Sequence, residues 1–123
     1  MRFAEDTNDA QFLIRAYGPG QVTVNEDVLT RSLVISPEHL IRDWPPQCLS
    51  DLTADHLSIA IAHKPEILII GTGAQLRFPH ASLIAQLQAQ GIGVEIMDTP
   101  AACRTYNILV SEQRRVTAAL MMA

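Results

Sequence analysis

The first third of the chain alternates apolar and polar residues with the period of a β-strand. Segments 12–17, 21–24 and 28–36 are rich in β-branched and aromatic residues, which pack well on a pleated surface. Gly18-Pro19-Gly20 separates the first two segments, and the polar residues 25–27 separate the second from the third. Such clusters mark turns. The pattern predicts three short strands joined as an antiparallel meander or as hairpins.

The rest of the chain alternates strand and helix patterns. Residues 66–70 and 93–97 are short apolar runs typical of buried strands. Segments 79–90 and 100–110 have helical spacing, with Pro79 and Pro100 at their starts, Thr99 as a cap and Gly91 after the first segment. Residues 53–63 fit both periods, and Thr53 as a cap favours a helix. Residues 115–121 alternate like a strand, and a helix stays open there.

These elements predict an α/β fold with a mixed sheet. Strand, helix and strand over 66–97 require a crossover between parallel strands, whereas the earlier strands are antiparallel. Residues 37–50, with three prolines around Trp44, predict an ordered surface loop. We expect one domain over residues 1–123, with residues 1–10 as a flexible lead-in. The predicted core comprises Leu33, Ile35, Leu68, Ile70, Leu83, Leu87, Val94, Ile96, Tyr106 and Leu109.

Charge and composition exclude some classes of protein. The net charge is −4 and Lys64 is the single lysine, so we expect no nucleic-acid partner, because such binding needs clustered cations. No apolar run approaches the roughly 20 residues that span a bilayer, and the N-terminus lacks the pattern of a secretory signal. Two cysteines make no disulfide framework. We expect a cytoplasmic protein without a transmembrane segment.

Two strand ends carry the candidate chemistry. Gly71-Thr72-Gly73 follows the first buried strand, and Asp98-Thr99 follows the next one. Ligands of α/β folds bind at the carboxyl ends of strands, and a helix N-terminus attracts anions. We therefore predict that both junctions lie close together and form a polar binding cleft, comprising Gly71, Thr72, Gly73, Asp98, Thr99, Cys103, Arg104 and Asn107.

Structural roles explain the same residues equally well. The two glycines could serve a tight turn, since the sequence lacks both the dinucleotide and the P-loop fingerprint. In the following helix, Thr99 or Asp98 could cap, Cys103 could fill the core and Asn107 could satisfy a buried backbone group. Both interpretations stay open at this stage.

Other catalytic signals are weak. His39, His56, His63 and His80 have no ligand at a recognised metal spacing, so we expect solvated or capping roles and no metal. No serine lies in a Gly-x-Ser-x-Gly motif, and no cofactor fingerprint is present, so we expect no cofactor. An enzyme is the less favoured class.

Three motifs carry a family resemblance. Residues 65–73, 91–99 and 101–107 resemble a family of small bacterial and archaeal proteins whose eukaryotic members are the mitochondrial complex I assembly factor 3 proteins. The resemblance implies a three-layer α/β domain: a central mixed sheet of about five strands, flanked by helices and by a small β-hairpin or meander layer. The family's Glu-Gly-Arg turn is Glu112-Gln113-Arg114 in this chain.

The functional expectation combines the cleft with the resemblance. We expect a non-catalytic interaction or assembly protein with a protein partner, such as a respiratory-complex subunit or another assembly component. The alternative is a small-molecule-binding protein or an enzyme that uses Asp98-Thr99 together with Cys103, Arg104 and Asn107. The sequence alone does not determine the oligomeric state.

Overall fold

The computed structural model describes residues 10–123. The strands are β1 (Ile14–Gly18), β2 (Gln21–Val24), β3 (Asp27–Leu29), β4 (Leu33–Ile35), β5 (Leu40–Ile41), β6 (Ile67–Thr72), β7 (Gly93–Met97) and β8 (Val116–Met121). The helices are α1 (Ala54–Ala60), α2 (Ala81–Ala89) and α3 (Thr99–Ser111), with a short 3-10 helix at Leu49–Asp51. The predicted α/β class is confirmed, as is the strand over the C-terminal segment.

The strands form two sheets. Strands β1, β2 and β3 make the predicted antiparallel meander, and the central sheet has the order β5-β4-β8-β6-β7. In the central sheet β6 pairs parallel with both β7 and β8, whereas β4 pairs antiparallel with β8. The central sheet is therefore mixed and five-stranded, and the last strand of the chain lies in its middle.

Each face of the central sheet has its own core, which gives the predicted three layers. On one face, Ile69 and Leu120 pack with Tyr106 of α3 and with Val22 and Val24 of the meander. On the other face, Leu68 and Ile70 pack with Leu57 of α1 and Leu87 of α2. Successive residues of a strand point to opposite faces, so a continuous apolar run such as 67–70 supplies both cores.

The prediction of one strand over residues 28–36 is wrong. The segment forms β3 in the meander and β4 in the central sheet, with a break at residues 30–32. The break is held by Gln47, whose side-chain oxygen accepts hydrogen bonds from both the backbone N–H and the hydroxyl of buried Ser32. A β-branched composition indicates extended backbone but does not show where the chain changes sheets.

The loop around Trp44 is more ordered than predicted. It contains β5, which pairs with β4 through Val34–Ile41 and Ile35–Leu40. The Trp44 ring is fully buried and its Nε1 donates to the carbonyl of His56, 3.3 Å away. The tryptophan therefore lies inside the core on the α1 side, and its ring N–H has a hydrogen-bond partner there.

Helix ends and core positions also differ from the prediction. Helix α1 ends at Ala60 rather than residue 63, and α2 begins at Ala81 with His80 as its cap rather than at Pro79. Four predicted core side chains are only half-buried: Leu83, Val94, Ile96 and Leu109. Val94 and Ile96 lie on β7, an outer strand of the sheet, and apolar periodicity does not distinguish an outer strand from a central one.

Gln113 and the N-terminal segment are the two other regions that the sequence singles out. Gln113, which stands where the resembling family has glycine, has φ +61°, a left-handed conformation that costs an L-residue energy. Of the predicted lead-in, residues 1–9 lie outside the described residues. Ala10 is half-buried and packs against the core under the meander.

Candidate functional site

The two predicted strand ends are in direct contact. The Thr99 hydroxyl accepts a hydrogen bond from the Gly73 N–H at 2.8 Å and donates to the Met121 carbonyl at 2.6 Å. The Thr99 N–H also donates to the Gly73 carbonyl at 2.8 Å. Thr99 is buried, so these bonds are shielded from water. One threonine thus joins the ends of β6 and β8 to the start of α3.

Both glycines allow the backbone to pass close to its neighbours. A Cβ on Gly71 would lie 2.9 Å from a Leu120 methyl carbon and from the Thr99 hydroxyl oxygen. Gly73 has φ +98°, and a Cβ there would overlap the carbonyl oxygen of Ala123. Glycine is needed at both positions for packing, which accounts for the motif without a ligand.

Thr72 and Asp98 organise the segments that follow them. The buried Thr72 hydroxyl donates to the Gln75 carbonyl at 2.7 Å and accepts from the Arg77 N–H at 3.1 Å. The Asp98 carboxylate accepts from the Ala101 N–H at 2.8 Å and is the N-cap of α3. The cap is therefore Asp98, and Thr99 is the first residue of the helix.

Cys103 and Asn107 face the interior. The Cys103 side chain is fully buried, and this burial raises the pKa of its thiol to about 12, although Arg104 acts in the opposite direction. The thiol is therefore protonated at neutral pH, whereas a nucleophilic cysteine acts as the thiolate. The Asn107 amide donates to the Ile14 carbonyl at 2.6 Å and accepts from the Ile14 N–H at 3.2 Å. Asn107 thereby attaches β1 to α3.

Arg104 is the exposed member of the predicted set. Its guanidinium donates to the Tyr17 hydroxyl at 2.9 Å and lies 5.8 Å from the centre of the Tyr17 ring. This hydrogen bond is the main reason why the pKa of Arg104 is raised. The pair connects α3 to the end of β1, where Tyr17 lines a cleft.

A cleft does lie at the strand ends, but its lining is largely apolar. It has a volume of about 350 Å³ and lies between the β1–β2 turn, the start of α3 and the end of β8. Of the eight predicted residues, Gly73 and Thr99 line it. The other lining residues are Tyr17, Gly18, Pro19, Gly20, Gln21, Ala74, Pro100, Met121 and Met122. We call this feature the strand-end cleft.

The residues that line the strand-end cleft carry sequence patterns that predict local structure rather than a cleft. Gly18-Pro19-Gly20 predicts a turn, and the C-terminal methionines predict buried strand residues. Only the folded chain brings the turn against the end of β8, because β1 and β8 are distant in sequence. No local pattern identifies these residues as members of one cleft.

An exposed apolar loop continues from the same end of the sheet. Residues 73–80 connect β6 to α2, and within them Leu76 is 50% and Phe78 is 69% exposed. A second cavity, of about 440 Å³, lies beside Ala74, Gln75 and Arg77 and reaches Ser50 and Ala123. Leu76 and Phe78 are two residues apart on this loop, and exposed large apolar side chains of one segment can contribute to an interaction surface.

The histidines have contacts of other kinds. His56 completes a capping box with Thr53, and the His80 ring caps α2 by accepting from Ser82 N–H. The rings of His39 and His63 are stacked, with centres 3.6 Å apart. Within residues 10–123, no group of three or more His, Cys, Asp or Glu side chains is placed to hold a metal ion.

The geometry defines an α/β domain with an apolar cleft and an exposed apolar loop at the carboxyl ends of its parallel strands. The chain belongs to the family described as "Protein of unknown function (DUF498/DUF598)", which matches residues 14–121. The family resemblance drawn from the sequence motifs is thereby confirmed.

Three proteins illustrate the similarity. The chain is 34% identical over 111 residues to "NADH dehydrogenase [ubiquinone] 1 alpha subcomplex assembly factor 3" of Danio rerio, covering 89% of this chain and 63% of that protein. It is 29% identical to the "13 kDa major membrane protein" of Francisella tularensis, and the match covers 95% of this chain and 96% of that protein. A crystal structure of a Bordetella parapertussis protein is 40% identical, with a TM-score of 0.87, and the match covers 93% of this chain and 98% of that one.

The matches differ in how much of each relative they include. This chain spans less than two thirds of the Danio rerio protein's length and nearly all of the Francisella tularensis protein's length. Among the described residues, no helix is long and apolar enough to cross a membrane.

Proposed function

We propose that this protein is a non-catalytic assembly protein that binds a protein partner at the carboxyl end of its central sheet. The partner is a subunit of an NADH dehydrogenase-type respiratory complex or another component of its assembly. The observation that carries the proposal is the exposure of Leu76 and Phe78 on the loop whose first residues, Gly73 and Ala74, line the strand-end cleft.

The relatives support the type of partner. The Danio rerio relative is named as an assembly factor of NADH dehydrogenase, and relatives from Xenopus tropicalis and Rattus norvegicus have the same name. Because this chain spans only part of these proteins, the proposed role is inferred from the shared domain alone. In the proposed role the protein holds its partner, and holding needs a surface rather than a reactive group.

The chemistry of the strand ends supports binding rather than reaction. Thr72, Asp98, Thr99 and Asn107 use their polar atoms on backbone groups of the same chain. The Cys103 thiol is buried and protonated at neutral pH. Acid–base or nucleophilic catalysis needs such groups to be free and positioned toward a substrate. The predicted polar residues thus hold together backbone segments around the strand-end cleft, which an apolar partner segment would cover.

The loop has the features of an anchor for such a segment. The Thr72 hydroxyl fixes its beginning through Gln75 and Arg77, so the exposed side chains project from a backbone held in place. Aromatic anchors at the centre of an interface contribute most of its binding energy, and preorganisation lowers the entropy cost of binding. Phe78, as the most exposed large apolar side chain described, is the expected centre.

Affinity capture from the protein's own cells tests the proposal. Tagged protein is compared with Phe78→Gln and with Ile59→Gln, a matched control on α1 that is 46% exposed. We expect the native protein and Ile59→Gln to retain a respiratory-complex subunit or assembly component, identified by mass spectrometry. Phe78→Gln should retain at least about tenfold less of it, since an interface anchor contributes about 2 kcal/mol or more.

Two outcomes would contradict the proposal. One is retention of the same partner by Phe78→Gln and native protein. The other is capture of proteins unrelated to the respiratory complex, together with turnover of a metabolite that Arg104→Ala or Cys103→Ser abolishes. The second result would favour the alternative of an enzyme using the strand-end residues.

A further inference from the structure

Among the residues that the structure describes, the central sheet has one long free edge, strand β7. At the opposite edge β5 has only two residues. The outer strand β3 of the meander has three residues, and its Asp27 is paired with Arg42 at 2.7 Å. Strand β7 has five residues without proline or lysine. Proteins blunt exposed edges with short strands, prolines, lysines or covering segments, because a free edge pairs with other chains.

The hydrogen-bond pattern shows which groups of β7 face outward. The Gly93 N–H donates to the Glu66 carbonyl at 3.0 Å, so Gly93 bonds inward to β6. In a parallel pair, every second residue of a strand bonds to the same neighbouring strand. The backbone groups of Glu95 and Met97 therefore also face β6. The N–H and C=O groups of Val94 and Ile96 therefore point away from the sheet. Among the described residues β7 pairs only with β6.

The side chains of β7 make this edge selective. Val94 and Ile96 are half-buried and pack against the core on the α1–α2 face. Glu95 points to the other face, where it is exposed. No cation within residues 10–123 pairs with its carboxylate. The edge thus presents one unpaired negative charge between two apolar positions.

That charge disfavours a second copy of this chain as the occupant. An antiparallel pairing that uses the outward groups of both Val94 and Ile96 pairs Val94 of one copy with Ile96 of the other. The two-fold axis then passes at Glu95, and the two Glu95 side chains stand directly opposite, about 4.5 Å apart at their Cα atoms. Like charges in that position are destabilising.

We propose that the β7 edge binds an extended segment of a partner protein, which adds as a further strand with a lysine or arginine opposite Glu95 and an apolar residue on each side. Main-chain hydrogen bonds to Val94 and Ile96 supply affinity, and the pairing with Glu95 supplies selectivity. This inference rests on the proposed role as a protein-binding assembly protein, and it assigns a second contact on the same partner.

Two synthetic peptides of alternating sequence test the edge with the full chain. One has Val-Lys-Val at its centre, the other has Val-Glu-Val, and both have serine and threonine flanks. Each is titrated into isotope-labelled protein to millimolar concentration while amide shifts and amide exchange are followed by NMR. We expect the lysine peptide to shift the Val94 and Ile96 amides and to slow their exchange. It should bind roughly threefold to tenfold more tightly than the glutamate peptide, because opposite charges facing each other across two strands attract and like charges repel.

The Glu95→Lys variant completes the test. Because Glu95 is exposed and unpaired, the variant should fold, and its preference should reverse toward the Val-Glu-Val peptide. Absence of shifts at Val94 and Ile96 with either peptide overturns the inference, as does equal affinity for both. A dimer of the native protein in sedimentation, with slowed exchange of the Val94 and Ile96 amides as the dimer forms, also overturns it. None of these results alters the capture experiment with Phe78→Gln, so failure of the edge and failure of the proposed function are separable.

Discussion

Removing one hydroxyl group from Thr99 should destabilise the whole protein. The substitution Thr99→Val keeps the shape of the side chain but leaves the Gly73 N–H without its acceptor and the Met121 carbonyl without its 2.6 Å donor. Each buried group left without a partner costs about 1–3 kcal/mol. The expected loss is therefore about 2–6 kcal/mol, a large part of the 5–15 kcal/mol that typically stabilises a domain.

Urea unfolding followed by circular dichroism measures this loss. For a chain of this size each kcal/mol lowers the thermal midpoint by roughly 4 °C, so a melting curve should shift by roughly 8–24 °C. The matched control is Thr99→Ser, which keeps the hydroxyl and loses one methyl group, at a cost of about 1 kcal/mol. The reasoning is refuted if the valine variant is as stable as the serine variant.

The remaining predictions concern α3. Folding raises the pKa of Cys103 from 9.0 to about 12. The protonated thiol therefore contributes fully to the free energy of unfolding below pH 9, and this contribution is lost between pH 9 and 12, because the thiol of the unfolded chain ionises first. The stability of native protein should then fall by up to about 1.4 kcal/mol per pH unit more steeply than that of Cys103→Ala, and parallel slopes in alkaline urea titrations would contradict this. Asn107→Ala should cost about 1–3 kcal/mol, less than two fully buried groups would, because the Ile14 N–H and carbonyl lose their partners at a partly buried position. Amide exchange should accelerate in β1 and not in β6, and uniform acceleration would show that Asn107 does not hold the meander specifically.

The parts of the fold that could be predicted from sequence are those decided by local pattern. The apolar run of β6, the capping signals of α3 and the turns of the meander all specify their elements without distant partners. The division of residues 28–36 between two sheets depends instead on Gln47 reaching Ser32, and β5 exists because β4 is there to pair with it. The half-burial of Val94 and Ile96 follows from the position of β7 at the edge of the sheet, which no local pattern encodes.

The candidate site shows the same division. The contact between the two strand ends could be expected, since parallel neighbouring strands end at the same edge of a sheet. The roles of the individual side chains could not, because the partner of Asn107 is Ile14, 93 residues earlier, and Arg104 meets Tyr17 across 87 residues. A polar stripe on a helix has the same appearance in sequence whether it contacts a ligand or a distant backbone segment.

The central position of β8 has a consequence for biosynthesis. Strand β8 lies between β4 and β6, yet it follows them both in the chain, so a ribosome releases β4 and β6 before their shared neighbour exists. Until residues 116–121 emerge, both strands have open hydrogen-bonding edges and the two cores lack Leu120 and Met121. Folding of the central sheet therefore has to wait until residues 116–121 have left the ribosome, and the nascent chain passes through a stage in which chaperones have exposed strands to bind.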